Sequence, residues 1–313
     1  MSKVVDGDAV TVVIGAYNAG AWIGQTLESV LGQTHPVLEV LVVDDGSTDN
    51  TPEIVRSFGR RVQYMAEPHH GRPQRNRGIQ AARGDLVAFV DADDYWDPVK
   101  LERQLELLRA RQVQWAICDS LWLEEATGTL TAPVGAALGE GDILEALFLN
   151  NFIVASSPIV TRRVFDEIGY FDETPEIAPV EDWDLWLRIA ARFPVATVRE
   201  PLVTLRLHAD SFLAATPMKQ RVRSLERVVD RAVAREPARL GRLRRRALGN
   251  IHYAAAVRLF RQQRLGEARG YFMTALREQP WHIEVLAYVV MTHLGSKLSS
   301  KIVNLKRGTG KAQ

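Results

Sequence analysis

A single cysteine, Cys118, in 313 residues excludes an internal disulfide and a cysteine-rich metal site, and suits a reducing compartment. No apolar run approaches the ~20 residues that span a bilayer. The first residues, Met1-Ser-Lys-Val-Val-Asp, show no basic-then-apolar leader, so the expected location is the cytoplasm. Two phosphate-binding signatures are missing as well. There is no G-x-x-x-x-G-K-[ST], which argues against a P-loop enzyme. Gly15-Ala-Tyr-Asn-Ala-Gly20 lacks G-x-G-x-x-G spacing, which argues against a nicotinamide-dependent oxidoreductase.

Net charge is also nearly absent, at +1, but the balance hides a division. Residues 1–216 hold 18 Lys+Arg against 32 Asp+Glu, a net of −14, and residues 217–313 hold 21 against 6, a net of +15. Two modules with different partners are expected. An acidic front suits metal-assisted chemistry; a basic back suits an anionic surface or substrate, or the acidic front of another subunit.

What is present begins with alternating strand and helix signals. Val10–Ala16 is a near-continuous apolar run of the kind buried on both faces in a parallel sheet. A helix follows with Ile23, Leu27, Val30 and Leu31 on one face. Further strands are expected at 39–43, 62–65 and 86–90. Thr48 or Asp49 is a candidate cap for the helix that contains Pro52, and a helix from Asp97-Pro98 turns Leu101, Leu105 and Leu108 inward. Short strands, a turn near Thr127-Gly128 and a helix near 142–149 come next, then a helix over 182–192 and strands near 195–199 and 202–207. This regularity predicts a doubly wound α/β sheet. Beyond Pro217 the chain reads as all-helical to about residue 296. Ala254-Ala255-Ala256, Ala268 and Ala275 with Tyr271, Phe272 and Leu276 resemble a helical-hairpin unit of the TPR kind.

Two apolar strands end in acids: Val-Val-Asp44-Asp45-Gly46-Ser47 and Phe-Val-Asp91-Ala92-Asp93-Asp94. Ligands of open α/β sheets bind outside the strand ends, and clustered carboxylates there call for a counter-charge. At a strand end, positions i and i+2 point the same way, so Asp91 and Asp93 can converge on one ligand. Hard carboxylate oxygens select Mg²⁺ or Mn²⁺.

The order of the motifs resembles the family 2 glycosyltransferases with a GT-A fold. Val-Ile-Gly15-Ala16-Tyr17-Asn18 comes first, then Asp44-Asp45-Gly46-Ser47-Thr48-Asp49, then Gly71…Arg75-Asn76…Gly78. Asp91-Ala92-Asp93-Asp94, Glu181-Asp182-Trp-Asp-Leu-Trp-Leu-Arg188 and Leu-Arg206-Leu-His208 complete the series, over residues 10–208. The resemblance implies a GT-A catalytic domain over 1–216, a mixed doubly wound sheet, followed by a basic helical extension over 217–313 outside the match. It implies an inverting, metal-dependent transfer of a sugar from a nucleotide diphosphate, UDP preferred, to a hydroxyl of a glycan or lipid-linked acceptor.

In that reading Gly15, Ala16 and Tyr17 line the nucleotide pocket and Asp45 accepts a hydrogen bond from the base, a role the adjacent Asp44 could share. Arg75, Asn76, Asp91 and Ala92 also bind nucleotide. Asp93, Asp91 and His208 take Mn²⁺ or Mg²⁺, and Arg206 faces the diphosphate. Asp182 is the base that deprotonates the acceptor. Asp94 is expected to hold its loop. Trp183 and Trp186 are expected in the core, with acceptor stacking as the lesser reading. Arg72-Pro73-Gln74 replaces the small residues usual before the Arg-Asn pair, which leaves the contact made by Arg72 in doubt, and His69-His70 reads as loop.

Other classes remain. A non-catalytic sugar-nucleotide sensor would not need the base, and a nucleic-acid binder would use Arg242–Arg246, a run more in keeping with a solvated face. The apolar helix near 283–294, followed by Lys297, Lys301, Lys306 and Arg307, is a candidate peripheral contact with the inner face of an anionic membrane.

Overall fold

The computed structural model describes residues 7–69, 75–132, 138–209, 211–281 and 283–293. Arg72 and the basic positions Lys297 to Arg307 therefore lie outside the described residues. The chain divides into two compact units, Met1–Leu147 with Asn151–Thr216, and Phe148–Asn150 with Pro217–Gln313. Among the described residues, no helix is long and apolar enough to cross a membrane.

The first unit opens with β1 (Val10–Ala16), α1 (Ile23–Leu31), β2 (Glu39–Asp44), α2 (Thr51–Ser57), β3 (Val62–Ala66), α3 (Arg75–Ala81) and β4 (Leu86–Asp91). It continues through β5 (Tyr95–Trp96), α4 (Lys100–Arg111), β6 (Trp115–Glu124), β7 (Thr129–Thr131), α5 (Leu144–Leu149), β8 (Ile159–Thr161), α6 (Arg163–Ile168), α7 (Glu181–Ala190), β9 (Val195–Leu207) and α8 (Phe212–Ala215). The nine strands form one mixed sheet in the order β3-β2-β1-β4-β8-β6-β9-β5, with β7 on β6. Strands β1 to β4 are mutually parallel, and β8 enters antiparallel to β4. β1, β2 and β4 are almost wholly buried, because a parallel sheet covered on both faces leaves its strands no solvent side.

The chain runs outward from β1 through β2 to β3, then returns to the other side of β1 as β4. The strand order reverses at the β1–β4 pair, the place where open α/β sheets bind ligands. There Gly15 pairs with Asp91, and on the other flank Ala16 pairs with Asp44. The topology alone thus brings the ends of both acidic strands to one edge.

Several local readings change. The strands read near 195–199 and 202–207 are one strand, β9, pairing with β6 through a register irregularity at Cys118, Asp119 and Ser120. β5 is too short, at two residues, to leave a periodic signal. The helix from 51 starts one residue after the expected caps, yet Asp49 Oδ1 accepts the Thr51 N–H at 3.0 Å and so satisfies an orphan donor of its first turn. Trp183 and Trp186 are both buried. Trp183 Nε1 donates to the Leu147 carbonyl, and Trp186 packs among Phe89, Trp115 and Phe171. Neither has a face free for an acceptor sugar.

The second unit holds α9 (Met218–Arg235), α10 (Pro237–Leu240), α11 (Arg244–Arg261), α12 (Leu265–Glu278) and α13 (Ile283–His293). Ala256, Ala268 and Ala275 let the helices close around Leu259, Phe260, Phe272 and Val285. Phe272 stacks on Tyr288 at 5.1 Å, which joins α12 to α13. Arg244 and Arg245 are spent on Asp230 and Glu278, which leaves them less available to phosphates.

Gly78 is the closest approach of helix to sheet under the site: a Cβ there would sit 2.5 Å from Val13 Cγ1. Gly78→Ala is therefore expected to destabilise by about 1–3 kcal/mol through overpacking, read as a lower denaturant midpoint at unchanged slope. An unaltered midpoint would mean that α3 is free to retreat from β1.

Candidate active site

The loops after β1 and β2 are stapled to each other. Asn18, at φ 47°, donates its N–H to Ser47 Oγ and accepts the Thr48 N–H on Oδ1. Asparagine tolerates this left-handed backbone better than most residues. The Gly20 N–H donates to Asp49 Oδ2, and the Ala19 N–H to Thr51 Oγ1. Gly46, at φ +74°, completes the second loop beneath His69, where an added Cβ would meet the His69 backbone at 3.0 Å.

Within this frame the two acids after β2 separate. Asp44 accepts from the Ser47 N–H, from Ser47 Oγ and from the Tyr64 hydroxyl. Those bonds make Asp44 the anchor of the loop. Asp45 is buried and faces His69, whose Nδ1 lies 2.8 Å from the Asp45 carbonyl oxygen and 3.0 Å from Oδ2. Facing two acceptors, Nδ1 carries a proton. The same imidazole stacks on Tyr17 at 4.3 Å, and Tyr17 is half exposed. The Tyr17–His69–Asp45 contact was not legible in a histidine pair read as loop; His70 lies outside the described residues.

After β4, Asp91, Asp93 and Asp94 each present a carboxylate oxygen within 4.8 Å of the others. Asp94 is the buried member. Ser156 Oγ and the Arg206 N–H donate to it, and Ser156 Oγ also accepts the Asp91 N–H. Burial, then Asp93, then Asp91, push the Asp94 carboxyl well above its usual range, the expected response of an acid crowded by like charges. Asp94 does hold the loop, as expected, and it also makes the cluster three acids deep. Ala92 is buried, and its carbonyl accepts from Thr26 Oγ1. Ser156, in a stretch without periodicity, carried no sequence signal.

Arg75 is the buried link between β4 and α7. Its Nη2 donates to Asp91 Oδ1 and its Nη1 to Glu181 Oε1 at 3.2 Å, while Phe171 covers the guanidinium at 5.5 Å. Both acids raise its pKa against the opposing effect of burial. Asp182 follows Glu181 at the first turn of α7, its Oδ1 accepting the Trp183 N–H at 2.7 Å. It keeps some access to solvent but lies deep among protein atoms. Burial and, next, the Glu181 charge push its carboxyl up to about 7, against the opposing pull of Arg75 and the Trp183 N–H.

The remaining candidates are committed to neighbours. Asn76 closes a two-bond clamp on Phe171, donating Nδ2–H to its carbonyl and accepting its N–H on Oδ1. Arg206 directs its guanidinium to Glu125 and Gln25 and stacks over Tyr95; only its backbone N–H reaches the acidic cluster. His208 Nε2 lies 2.9 Å from Asp93 Oδ2, and the ring packs against Trp22 at 4.0 Å. Its Nδ1 is buried without a partner.

Comparison with known proteins decides the family. The model for Glycosyl transferase family 2 matches residues 11–148. TuaG of Bacillus subtilis, a glycosyltransferase named for teichuronic acid biosynthesis, is 30% identical over 208 residues, 63% of this chain and 79% of TuaG. The chain belongs to glycosyl transferase family 2. An uncharacterized glycosyltransferase of Rickettsia bellii is 30% identical over 233 residues, 70% of this chain but 32% of its own length. The chain thus spans about a third of the Rickettsia relative. Staphylococcus aureus TarS 1–349 in complex with UDP-GlcNAc shares the fold at TM-score 0.61 and 16% identity, over 90% of this chain and 84% of that one. The same TarS fragment with UDP superposes at TM-score 0.55 and 20% identity, over 91% and 80%. These likenesses make the first unit a GT-A fold, with a helical region after it.

Proposed function

We propose that the protein is an inverting glycosyltransferase that moves a sugar from a uridine diphosphate donor to a hydroxyl of a glycan or lipid-linked acceptor. The observation that carries this reading is Arg75, which ties Asp91 at the end of β4 to Glu181 beside Asp182, while β1 sets the acidic ends of β2 and β4 on its two flanks. UDP and UDP-GlcNAc in the TarS complexes favour uridine, and the teichuronic acid biosynthesis in the name of TuaG favours glycan synthesis. A sensor would need Asp45 and Tyr17 but not a carboxyl raised to about 7.

In this reading Gly15 and Ala16 let backbone approach the nucleotide, Tyr17 stacks on the base and Asp45 accepts its N–H. Asp91 and Ala92 contact the ribose side. Arg75 and Asn76 set the walls by holding Asp91, Glu181 and Phe171, in place of the direct contact expected of them. Arg206 meets the diphosphate only by exchanging Glu125 for phosphate.

Asp91, Asp93 and Asp94, with His208 behind Asp93, would hold Mn²⁺ or Mg²⁺. The fit is chemical: three carboxyl groups with hard oxygens within 4.8 Å of one another, and the His208 imidazole against Asp93. A divalent cation there supplies Lewis-acid relief of the charge that gathers on the departing diphosphate. Asp182 takes the acceptor hydroxyl proton as the new C1–O bond forms on one face of the sugar. The bond to the diphosphate oxygen breaks on the other, with inversion. We extend the proposal to place: the basic second unit works at the inner face of an anionic membrane, where lipid-linked acceptors are built.

Asp182→Asn is expected to cut turnover about 10²–10⁴-fold while nucleotide affinity holds within a few-fold. Release of UDP from a panel of UDP-sugars with Mn²⁺ measures it. The base form exists only above the raised pKa, so wild-type kcat/KM should climb with pH, reach half its maximum near pH 7 and level off about one unit higher, and the variant should lose that limb. A variant with near-normal turnover removes Asp182 from the mechanism. For the acids, Asp93→Ala is expected to abolish the Mn²⁺ dependence of UDP binding in titration calorimetry; an unchanged dependence would place the cation elsewhere.

A further inference from the structure

The outer face of α13 has no use in the chemistry above. Helix α13 is apolar almost all the way round, with Glu284 as its one acidic residue. One face, Val285, Tyr288 and Thr292, packs inward, where Tyr288 meets Phe260 and Phe272. The opposite face remains in water: Ile283 is 82% exposed, Leu286 56% and Val290 54%, with Trp281 just before the helix at 92%. Positions 283, 286 and 290 recur at helical spacing, so they form one stripe and not scattered surface residues. A helix apolar on both sides calls for a second cover, and contiguous exposed apolar surface marks an interaction site.

Charge identifies the cover. Residues 217–313 carry a net of +15, and the sequence from 294 to 313 holds Lys297, Lys301, Lys306, Arg307 and Lys311 with no acid. A second copy docking by the same face would bring two such segments together against their repulsion. An anionic lipid surface accepts both features at once. Aliphatic side chains enter the acyl boundary, an exposed tryptophan sits at headgroup level, and lysines and arginines meet the lipid phosphates.

We infer that the face Trp281, Ile283, Leu286 and Val290 is a membrane-docking surface for anionic bilayers, inserted by its apolar stripe and held by the net positive charge of residues 217–313. The inference rests on the membrane-side location proposed above and not on the transfer chemistry, so loss of UDP release and loss of vesicle binding are separate outcomes.

The test is co-sedimentation of the full-length chain with vesicles of phosphatidylglycerol and phosphatidylcholine, and with phosphatidylcholine alone, at low and high salt. Wild type should bind the anionic vesicles, bind the neutral ones far less, and lose affinity as salt rises. The variant W281S/I283S/L286S/V290S should bind about tenfold less or weaker still, with unchanged circular dichroism and melting temperature because its altered side chains are exposed. Quenching of tryptophan emission by brominated lipid gives a second readout that does not depend on that variant folding. Wild type should show a quenched component that W281F lacks. Equal vesicle binding by wild type and variant, or no lipid quenching of Trp281, overturns the inference. So does a wild-type dimer in light scattering that the variant dissolves while neither binds vesicles.

Discussion

One buried guanidinium ties the site together. Arg75 lies between Asp91, at the end of β4, and Glu181, at the start of α7, residues that the sequence separates by about a third of the chain. A buried ion pair adds little net stability, but removing one partner leaves an uncompensated charge and costs about 3–5 kcal/mol. The constraint is therefore one of position more than of strength. It fixes the acidic end of β4 against the helix that presents Asp182, and the Asn76 clamp on Phe171 keeps the arginine covered.

The same crowding of charge sets the protonation states. Burial, then the Asp93 and Asp91 charges within 4.8 Å, drive Asp94 toward its neutral form, and it serves as a hydrogen-bonded support. Asp182 is raised by burial and by Glu181 but held near 7 by Arg75. A base poised there loses its proton within the working range and still accepts one readily. In the proposed mechanism, environment separates the carboxylates into supports, ligands and a base without any difference in their chemistry.

Much of this was legible in the sequence because it is local. β1, β2 and β4 are short apolar runs, and the acids that end them carry the i, i+2 spacing of a strand end. The helix that presents Asp182 begins with a recognisable Glu-Asp pair. What the sequence left out is contact between distant segments. Arg75, Asn76 and Arg206 were read as ligand contacts from the family resemblance, and the structure adds protein partners for each, Glu181, Phe171 and Glu125, that no spacing announces. Ser156 joins Asp91 to Asp94 from a stretch with no periodicity, and the stacking of His69 on Tyr17 depends on a turn placed by Gly46. β5, at two residues, falls below the length at which alternation can be read.

The account stands on the acids of β4, the acid after β2 and Asp182 serving one bound donor. The most direct measurement is a crystal structure with UDP and Mn²⁺, the ion located by its anomalous scattering. The account predicts a manganese peak among Asp91, Asp93 and Asp94, touching the diphosphate, with the uracil against Asp45 and Asp182 facing the diphosphate across an open cleft. A manganese ion bound away from these carboxylates, or a nucleotide lying where Asp182 cannot approach it, would contradict the account.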